Sequence, residues 1–265
     1  MRRRTRRVDV VHWNPPANRM ERLRGLIGDP RRVDNFGDLL GPLIVDEIVG
    51  TPAPPPVADR RLLTVGSILH LARDSDVVWG TGRNGKIPRV QHRARRLDVR
   101  AVRGPLTRRF LEGMGVSVPA IYGDPALLLP SLRPDLFSQL RNSDQILLAP
   151  NMNDSWPQIP GTVRLDPKQP LPECLTLVSS SQIVIASSLH ALILADALRI
   201  PAIPVLSEAE PRFKYMDYYL GTGRTHVRFA SDPNEAMNLD LPDPLQYDSA
   251  PLLNSFPHDL WGAKS

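Results

Sequence analysis

The sequence predicts an α/β fold with largely parallel sheets. Short apolar runs end at small or polar residues, and stretches with helical spacing stand between them, so strands alternate with helices along the chain. A hydrophobic content of 42% over 265 residues supplies packed cores for one large or two modest domains.

In chain order, Val8 to Trp13 is the first expected strand and Asp38 to Val49 the first helix, introduced by Asn35-Phe36-Gly37-Asp38. Strands follow at Leu62 to Val65, Val77 to Trp79 and Val99 to Val102, and each runs into a turn: Gly66-Ser67, Gly80-Thr81-Gly82 and Arg103-Gly104. Pro105 begins a helix that reaches Met114, because its fixed φ suits a first helical position and its missing N–H is not needed there; Gly113 or Gly115 suits the end. The strand Ile146 to Ala149, the helix Pro172 to Ser179, the strand Ile183 to Ala186, the helix Leu189 to Leu198, the strand Ala202 to Leu206 and the helix Arg212 to Leu220 complete the alternation.

A break between Pro130 and Gln145, where Ser131-Leu132-Arg133-Pro134-Asp135 interrupts this rhythm, divides the chain into an N-terminal domain at 8–135 and a C-terminal domain at 143–230. The segment 231–265, rich in Pro, Asp and Ser, reads as loop with a short final helix returning to the first domain. Pro52 to Pro56 forms a stiff surface connection, since proline fixes φ and lacks the amide donor.

Charge and composition exclude several classes. Arg2, Arg3, Arg4, Arg6 and Arg7 equal the whole formal net charge of +5, so the remainder is near neutral despite a pI of about 9.7. Such an arm is a solvated tail or is drawn to anionic lipid headgroups. No recognition motif or interleaved aromatics follow it, and nucleic acid is not expected. No apolar run approaches the ~20 residues that cross a bilayer, and Val8, Asp9, Val10 and His12 do not form the apolar part of a secretory signal. A cytoplasmic protein is the expectation, with a peripheral place at the inner face of the membrane as the alternative if the arm meets lipid. Cys174 stands alone, with no Cys or His at metal-ligand spacing, and reads as a small buried hydrophobe.

In parallel α/β sheets, ligands bind beyond the carboxyl ends of the strands, where loops and helix N-termini present backbone amides. Turns at Asn35 to Asp38, Gly66-Ser67, Gly80 to Gly82, Arg103-Gly104-Pro105 and Ser187 to His190 lie at such places. Each has a plainer reading. Asn35 or Asp38 reads equally as a helix cap, Gly80 and Gly82 as turn glycines, and Asp124 in Tyr122-Gly123-Asp124-Pro125 as a turn residue. Arg103 is placed to hold phosphate or carboxylate bidentately, or else joins a surface ion pair. His190 follows Ser187 or Ser188 as cap and lies in the first turn of a helix whose positive end favours the neutral ring. A bound anion would raise its pKa and make it a general acid, whereas a structural histidine would be hydrogen-bonded under the sheet edge.

Taken together and in order, these residues resemble the polysaccharide pyruvyltransferase family, in particular the exopolysaccharide branch that makes succinoglycan-type ketals. The resemblance covers roughly residues 33 to 224 and rests on Asn35-Phe36-Gly37-Asp38, Gly66-Ser67-Ile68-Leu69, Trp79-Gly80-Thr81-Gly82, Val102-Arg103-Gly104-Pro105-Leu106-Thr107, Gly123-Asp124-Pro125-Ala126, Ser187-Ser188-Leu189-His190-Ala191 and Phe213 to Tyr219. It implies a GT-B-like fold of two Rossmann-like domains facing across a cleft that holds phosphoenolpyruvate. It implies His190, Asp38 and Asp124 as catalytic residues, and Asn35, Gly66, Ser67, Thr81, Gly82, Arg103, Ser187, Ser188 and Lys214 as substrate-binding residues. The family's Ser-Arg-x-His-Gly motif aligns with Ser187 to Ala191, which leaves Ser188 at the arginine position; Arg103, Lys214 or Arg212 must then supply the missing charge. The acceptor is a sugar or a lipid-linked oligosaccharide, and the implied scheme needs no cofactor and no metal. Two rivals remain: a GT-B glycosyltransferase using a nucleotide sugar, and a non-catalytic sugar-binding relative.

Overall fold

The computed structural model describes residues 7–15, 20–21, 33–137 and 144–262. Arg2, Arg3, Arg4 and Arg6 of the basic arm, and residues 138–143 of the expected break, lie outside the described residues.

Two four-stranded parallel sheets organise the chain. The first contains β1 (Val8–Val11), β2 (Arg60–Leu63), β3 (Val77–Trp79) and β4 (Asp98–Ala101) in that spatial order, with Val10 opposite Leu62, Leu62 opposite Val77 and Val78 opposite Val99. The second contains β5 (Ile146–Ala149), β6 (Thr162–Arg164), β7 (Ile183–Ala186) and β8 (Ala202–Pro204) in the order β6-β5-β7-β8, with Leu147 flanked by Val163 and Val184. Parallel neighbours need crossover connections, and sheets covered on both faces require near-continuous apolar strands. Ile146-Leu147-Leu148-Ala149 and Ile183-Val184-Ile185-Ala186 are such strands. Val102 and Val205, expected inside strands, extend the sheets only as single bridges to Tyr122 and Ala230. The edge strand β6 is one that the apolar pattern does not announce.

The helices are α1 (Phe36–Val49), α2 (Pro105–Glu112), α3 (Leu129–Leu132), α4 (Leu171–Ser179), α5 (Leu189–Ala197), α6 (Phe213–Gly221), α7 (Pro233–Ala236) and α8 (Ala250–Asn254). None is long and apolar enough to cross a membrane. Pro105 opens α2 and Gly113 closes it. Helix α5 buries Leu189, Ala191, Leu192, Ile193, Leu194 and Ala195, so it is apolar all round. A helix of that kind belongs between layers and not on a surface; it packs on β7 and β8 and on the 3-10 turn Pro125–Leu128, which in turn meets α1.

Through that stack the two sheets share one core. Phe36, Leu40 and Ile44 of α1, Leu62, Val77 and Trp79 of the first sheet, and Leu147 and Val184 of the second belong to the same buried cluster. The C-terminal segment packs on the first sheet. Trp79 donates from Nε1 to Leu252 O (3.0 Å) and meets Phe256 edge-on at 4.9 Å, Val57 N donates to Leu260 O (3.0 Å), and Arg100 makes a fork to both Asp259 oxygens at 3.0 Å. Cys174 is fully buried, and burial pushes its thiol up to about 12.

Candidate active site

The segments that follow β1, β2, β3, β5, β6 and β7 and the first turns of α1, α5 and α6 come together at one cavity of about 310 Å³. Asn35, Asp38, Ser67, Ser188, His190 and Lys214 all line it. Gly66, Thr81, Gly82, Arg103, Asp124 and Ser187 do not; they stand behind its wall.

The back wall explains itself through pairing. Thr81 donates from Oγ1 to Gly66 O (2.8 Å), and Gly82 N donates to the same carbonyl (3.0 Å), which fixes the Gly66-Ser67 turn. Arg103 is fully buried. Its Nη1 donates to Ser67 Oγ (2.6 Å), its Nη2 to Arg83 O (2.6 Å), and its Nε to Asp217 Oδ2 (3.2 Å). Asp217 also accepts from Thr107 N (2.8 Å) and Thr107 Oγ1 (2.6 Å). Gly82 has no room for a side chain, since a Cβ would lie 2.4 Å from the guanidinium carbon. Arg103 therefore reaches the cavity only by holding Ser67. Ser187 Oγ donates to Asp154 Oδ2 (2.6 Å) and accepts from Asn151 N (2.9 Å), and Tyr215 donates to Ser187 O (2.5 Å), so this serine is a strut between α5, α6 and the 150s loop.

The titratable groups meet around Gly66. A Cβ placed there would lie 3.5 Å from Asp38 Oδ1 and 4.0 Å from His190 Nε2, so both side chains face the same small gap. The imidazole lies against Gly37, where a Cβ would come within 2.0 Å of Nδ1, and edge-on to Phe36 at 6.4 Å. That is the physical reason for glycine in Asn35-Phe36-Gly37-Asp38. His190 Nε2 is buried without a hydrogen-bond partner. Burial, with the charges of Lys214 and Arg103, lowers its pKa to about 3. Burial raises Asp38 to about 7, against the opposing hydrogen bond from Asn35 Nδ2 (2.5 Å) and the charge of Lys214. Asp124 accepts from Ala126 N (3.0 Å) as the cap of the Pro125–Leu128 turn, while Oδ2 is buried and unpartnered. Burial raises it to about 6, opposed by the Ala126 amide, Arg103 and the Gly66 amide.

Sequence reasoning missed part of the lining. Glu210, four residues before Lys214 in the bend that precedes α6, lies 3.1 Å from its Nζ and also pairs with Lys86. Both lysines and the glutamate line the cavity, as do His70, Asn84 and Asn151. Burial lowers Lys214 to about 8, with Glu210 opposing the shift. Asn84 Oδ1 accepts from Lys86 N (2.9 Å) and Ile87 N (3.0 Å), shaping the turn that delivers Lys86. The Asn84-Gly85-Lys86 turn signal was present in the sequence, but nothing marked its approach to Glu210. Neither expected cap forms through its side chain: Asn35 and Ser188 occupy the N-cap positions of α1 and α5 without bonding the helix amides. The first turn of α5, whose amides have no partner within the helix, lies at the cavity through Ser188, Leu189 and His190.

The arrangement combines two cations, a carboxyl that keeps a proton near neutrality, an unpartnered imidazole nitrogen and a helix N-terminus, a set suited to a small anion and to proton transfer. A family model described as polysaccharide pyruvyl transferase matches residues 65–208, just over half of the chain. The chain is similar to the succinoglycan biosynthesis protein ExoV of Rhizobium meliloti (strain 1021), with 31% identity over 206 residues, 72% of this chain and 63% of that protein. It thus spans less than two thirds of the relative's length. No solved structure matches the chain.

Proposed function

The chain belongs to the polysaccharide pyruvyl transferase family, and we propose that it moves the enolpyruvyl unit of phosphoenolpyruvate onto two hydroxyls of a sugar, forming a cyclic ketal in an exopolysaccharide or its lipid-linked precursor. The observation that carries this reading is the meeting of His190, Asp38 and Lys214 at one cavity. The two parallel sheets then correspond to GT-B-like halves, 8–135 and 143–230, with the cavity between them.

The donor is a small polyanion. Lys214 and Lys86, together with the first-turn amides of α5, supply the positive field that Ser188 does not, and Arg103 contributes by fixing Ser67. Burial keeps His190 neutral, aided by the fields of Lys214 and Arg103; the donor's negative charge acts against all three, so the imidazole takes up a proton on binding. His190 then protonates the methylene carbon, leaving C2 as an oxocarbenium-like electrophile. The first sugar hydroxyl bonds to C2 as its proton passes to Asp38, the carboxyl that lines the cavity and that has given its own proton to the imidazole. The second hydroxyl bonds to C2 as the C2–O bond to phosphate breaks, and its proton leaves with the phosphate. One donor and one diol give one ketal and inorganic phosphate. No cofactor or metal takes part in this scheme.

The test is incubation with phosphoenolpyruvate and a panel of lipid-linked and nucleotide-linked oligosaccharides. Phosphate release matched by the mass gain of a pyruvyl ketal is expected. Nucleotide release without phosphate would assign the site to a glycosyltransferase. Acceptor binding with neither product would make the protein a sugar-binding relative, the outcome that Ser188 at the family's arginine position favours.

A further inference from the structure

The loop joining β3 to β4 carries a feature that the chemistry of the cavity does not use. Residues 77–97 contain six basic residues, Arg83, Lys86, Arg89, Arg93, Arg95 and Arg96, and no acidic one. Two are engaged by partners: Arg83 lies over the rings of Phe110 (4.4 Å) and Phe213 (5.1 Å), and Lys86 pairs with Glu210 at the cavity. The other four are exposed, and Val90, in the turn Arg89–Gln91, is 80% exposed among them. The backbone beneath them is held in place. Asp74 Oδ1 accepts from Arg95 N (2.8 Å) and Arg96 N (3.0 Å), the buried His92 ring packs on Phe110 at 4.8 Å, and Arg89 bonds the Gly113 carbonyl. A fixed loop that holds an apolar side chain outward among arginines has the chemistry of a peripheral membrane contact, where apolar insertion adds to attraction by anionic headgroups.

We propose that residues 84–96 dock the protein on an anionic phospholipid surface, with Val90 entering the headgroup layer and Arg89, Arg93 and Arg95 among the phosphates. Charge complementarity selects the occupant. Single-stranded nucleic acid fits the loop less well, because 84–96 contain no Phe, Tyr or Trp on which a base could stack. The placement also serves the chemistry: Asn84, Lys86 and Ile87 line the cavity, so docking here brings its mouth to the surface from which a lipid-borne acceptor arrives. In that respect alone the surface rests on the pyruvyl-transfer reading.

Vesicle co-sedimentation of the full chain tests it, comparing pure phosphatidylcholine with phosphatidylcholine carrying about one third phosphatidylglycerol. Binding is expected on the anionic vesicles only, weakening as salt screens it. Each arginine near such a surface is worth about fivefold in partitioning, so Arg89→Gln with Arg93→Gln should reduce binding about 25-fold. A companion variant, Val90→Ser, should weaken it without altering the salt dependence. An unchanged affinity in the arginine variant, with its thermal midpoint intact, would assign any membrane binding to the N-terminal arginines and overturn the proposal. So would equal binding to neutral vesicles, or full displacement by an equimolar RNA oligonucleotide. Turnover on a water-soluble acceptor, read on the same preparations, is expected to match wild type. Its absence in every protein would defeat the pyruvyl-transfer reading and leave the vesicle result standing.

Discussion

Burial acts with opposite sign on the two titratable side chains that face each other across Gly66: it strips the proton from His190 and leaves one on Asp38, since each loses hydration as an ion. A proton at this site therefore rests on the carboxyl, and the imidazole needs an anionic ligand before it can act as an acid. If His190 donates to the donor's methylene carbon, His190→Ala should lower turnover by ~10²–10⁴-fold while keeping the thermal midpoint, because the ring opens onto the cavity and leaves no sealed void. A lowered midpoint with near-normal turnover would make it a packing residue on Gly37. Asp38 yields a separate prediction on stability. Unfolded, the group titrates near 4; folded, it titrates near 7. Between these values the folded state binds more protons, so its contribution is fully present below about pH 4 and is lost as pH rises through 7. Asp38→Asn keeps a carbonyl for Asn35 and removes the charge. The variant should gain on wild type by up to about 4 kcal/mol between pH 4 and pH 8, read from urea midpoints across that range. A pH-independent difference between the two proteins would show that Asp38 is not held protonated. Its turnover should fall sharply at every pH.

At the scale of elements, the contact between α2 and α6 decides where Lys214 stands. Glycine permits it: a Cβ on Gly104 would lie 1.7 Å from Asp217 O, and one on Gly221 2.2 Å from Arg103 O, so the two segments meet backbone to backbone. Asp217 then closes the junction by holding Thr107 and Arg103. Breaking a buried ion pair by removing one partner costs about 3–5 kcal/mol, because the remaining charge is left uncompensated. Asp217→Asn should therefore destabilise the fold by that order and also raise the KM for the donor, since Asp217 and Lys214 share α6. A normal denaturant midpoint would remove Arg103 from the supporting framework. This junction also marks the boundary of what could be read in advance. The strands were legible because sheets covered on both faces demand apolar runs, and the motif turns were legible because such sheets deliver their functional residues at strand ends. β6 was not, since Thr162-Val163-Arg164 is a three-residue edge strand with Val163 and Arg164 exposed. Nor was the inward position of Arg103, whose counter-ion is 114 residues away. A charged residue at a strand end reads the same whether it faces a ligand or a buried partner. Lys86 and Glu210 escaped for a related reason: they sit in polar turns with no rhythm, and only tertiary packing joins them.

For the whole molecule, the shared core sets how the two sheets respond to stress. Helix α5 is in sequence part of the second sheet's crossovers, yet it packs on the Pro125–Leu128 turn that follows the first sheet, and Leu192 is fully buried in the cluster that also contains Trp79, Leu62 and Ile44. A chain whose halves owned separate cores would melt in two steps, one for each half. Here the same side chains stabilise both, so a single cooperative transition is expected, with the calorimetric and van't Hoff enthalpies equal. Leu192→Ala isolates the point. Truncating a fully buried leucine removes its transfer energy and leaves a cavity, about 2–5 kcal/mol together. The loss belongs in the first instance to the second sheet, which α5 covers. Tryptophan fluorescence reports mainly on the other half, because Trp13, Trp79 and Trp261 all lie with the first sheet and only Trp156 with the second. Far-UV circular dichroism reports on both. If the core is one unit, the substitution lowers the fluorescence and dichroism midpoints by the same amount and leaves the two denaturant curves superimposable. If the halves are energetically separate, the dichroism curve divides into two steps and the fluorescence transition stays near its wild-type midpoint, and that divergence would show the core to be joined in space but not in stability.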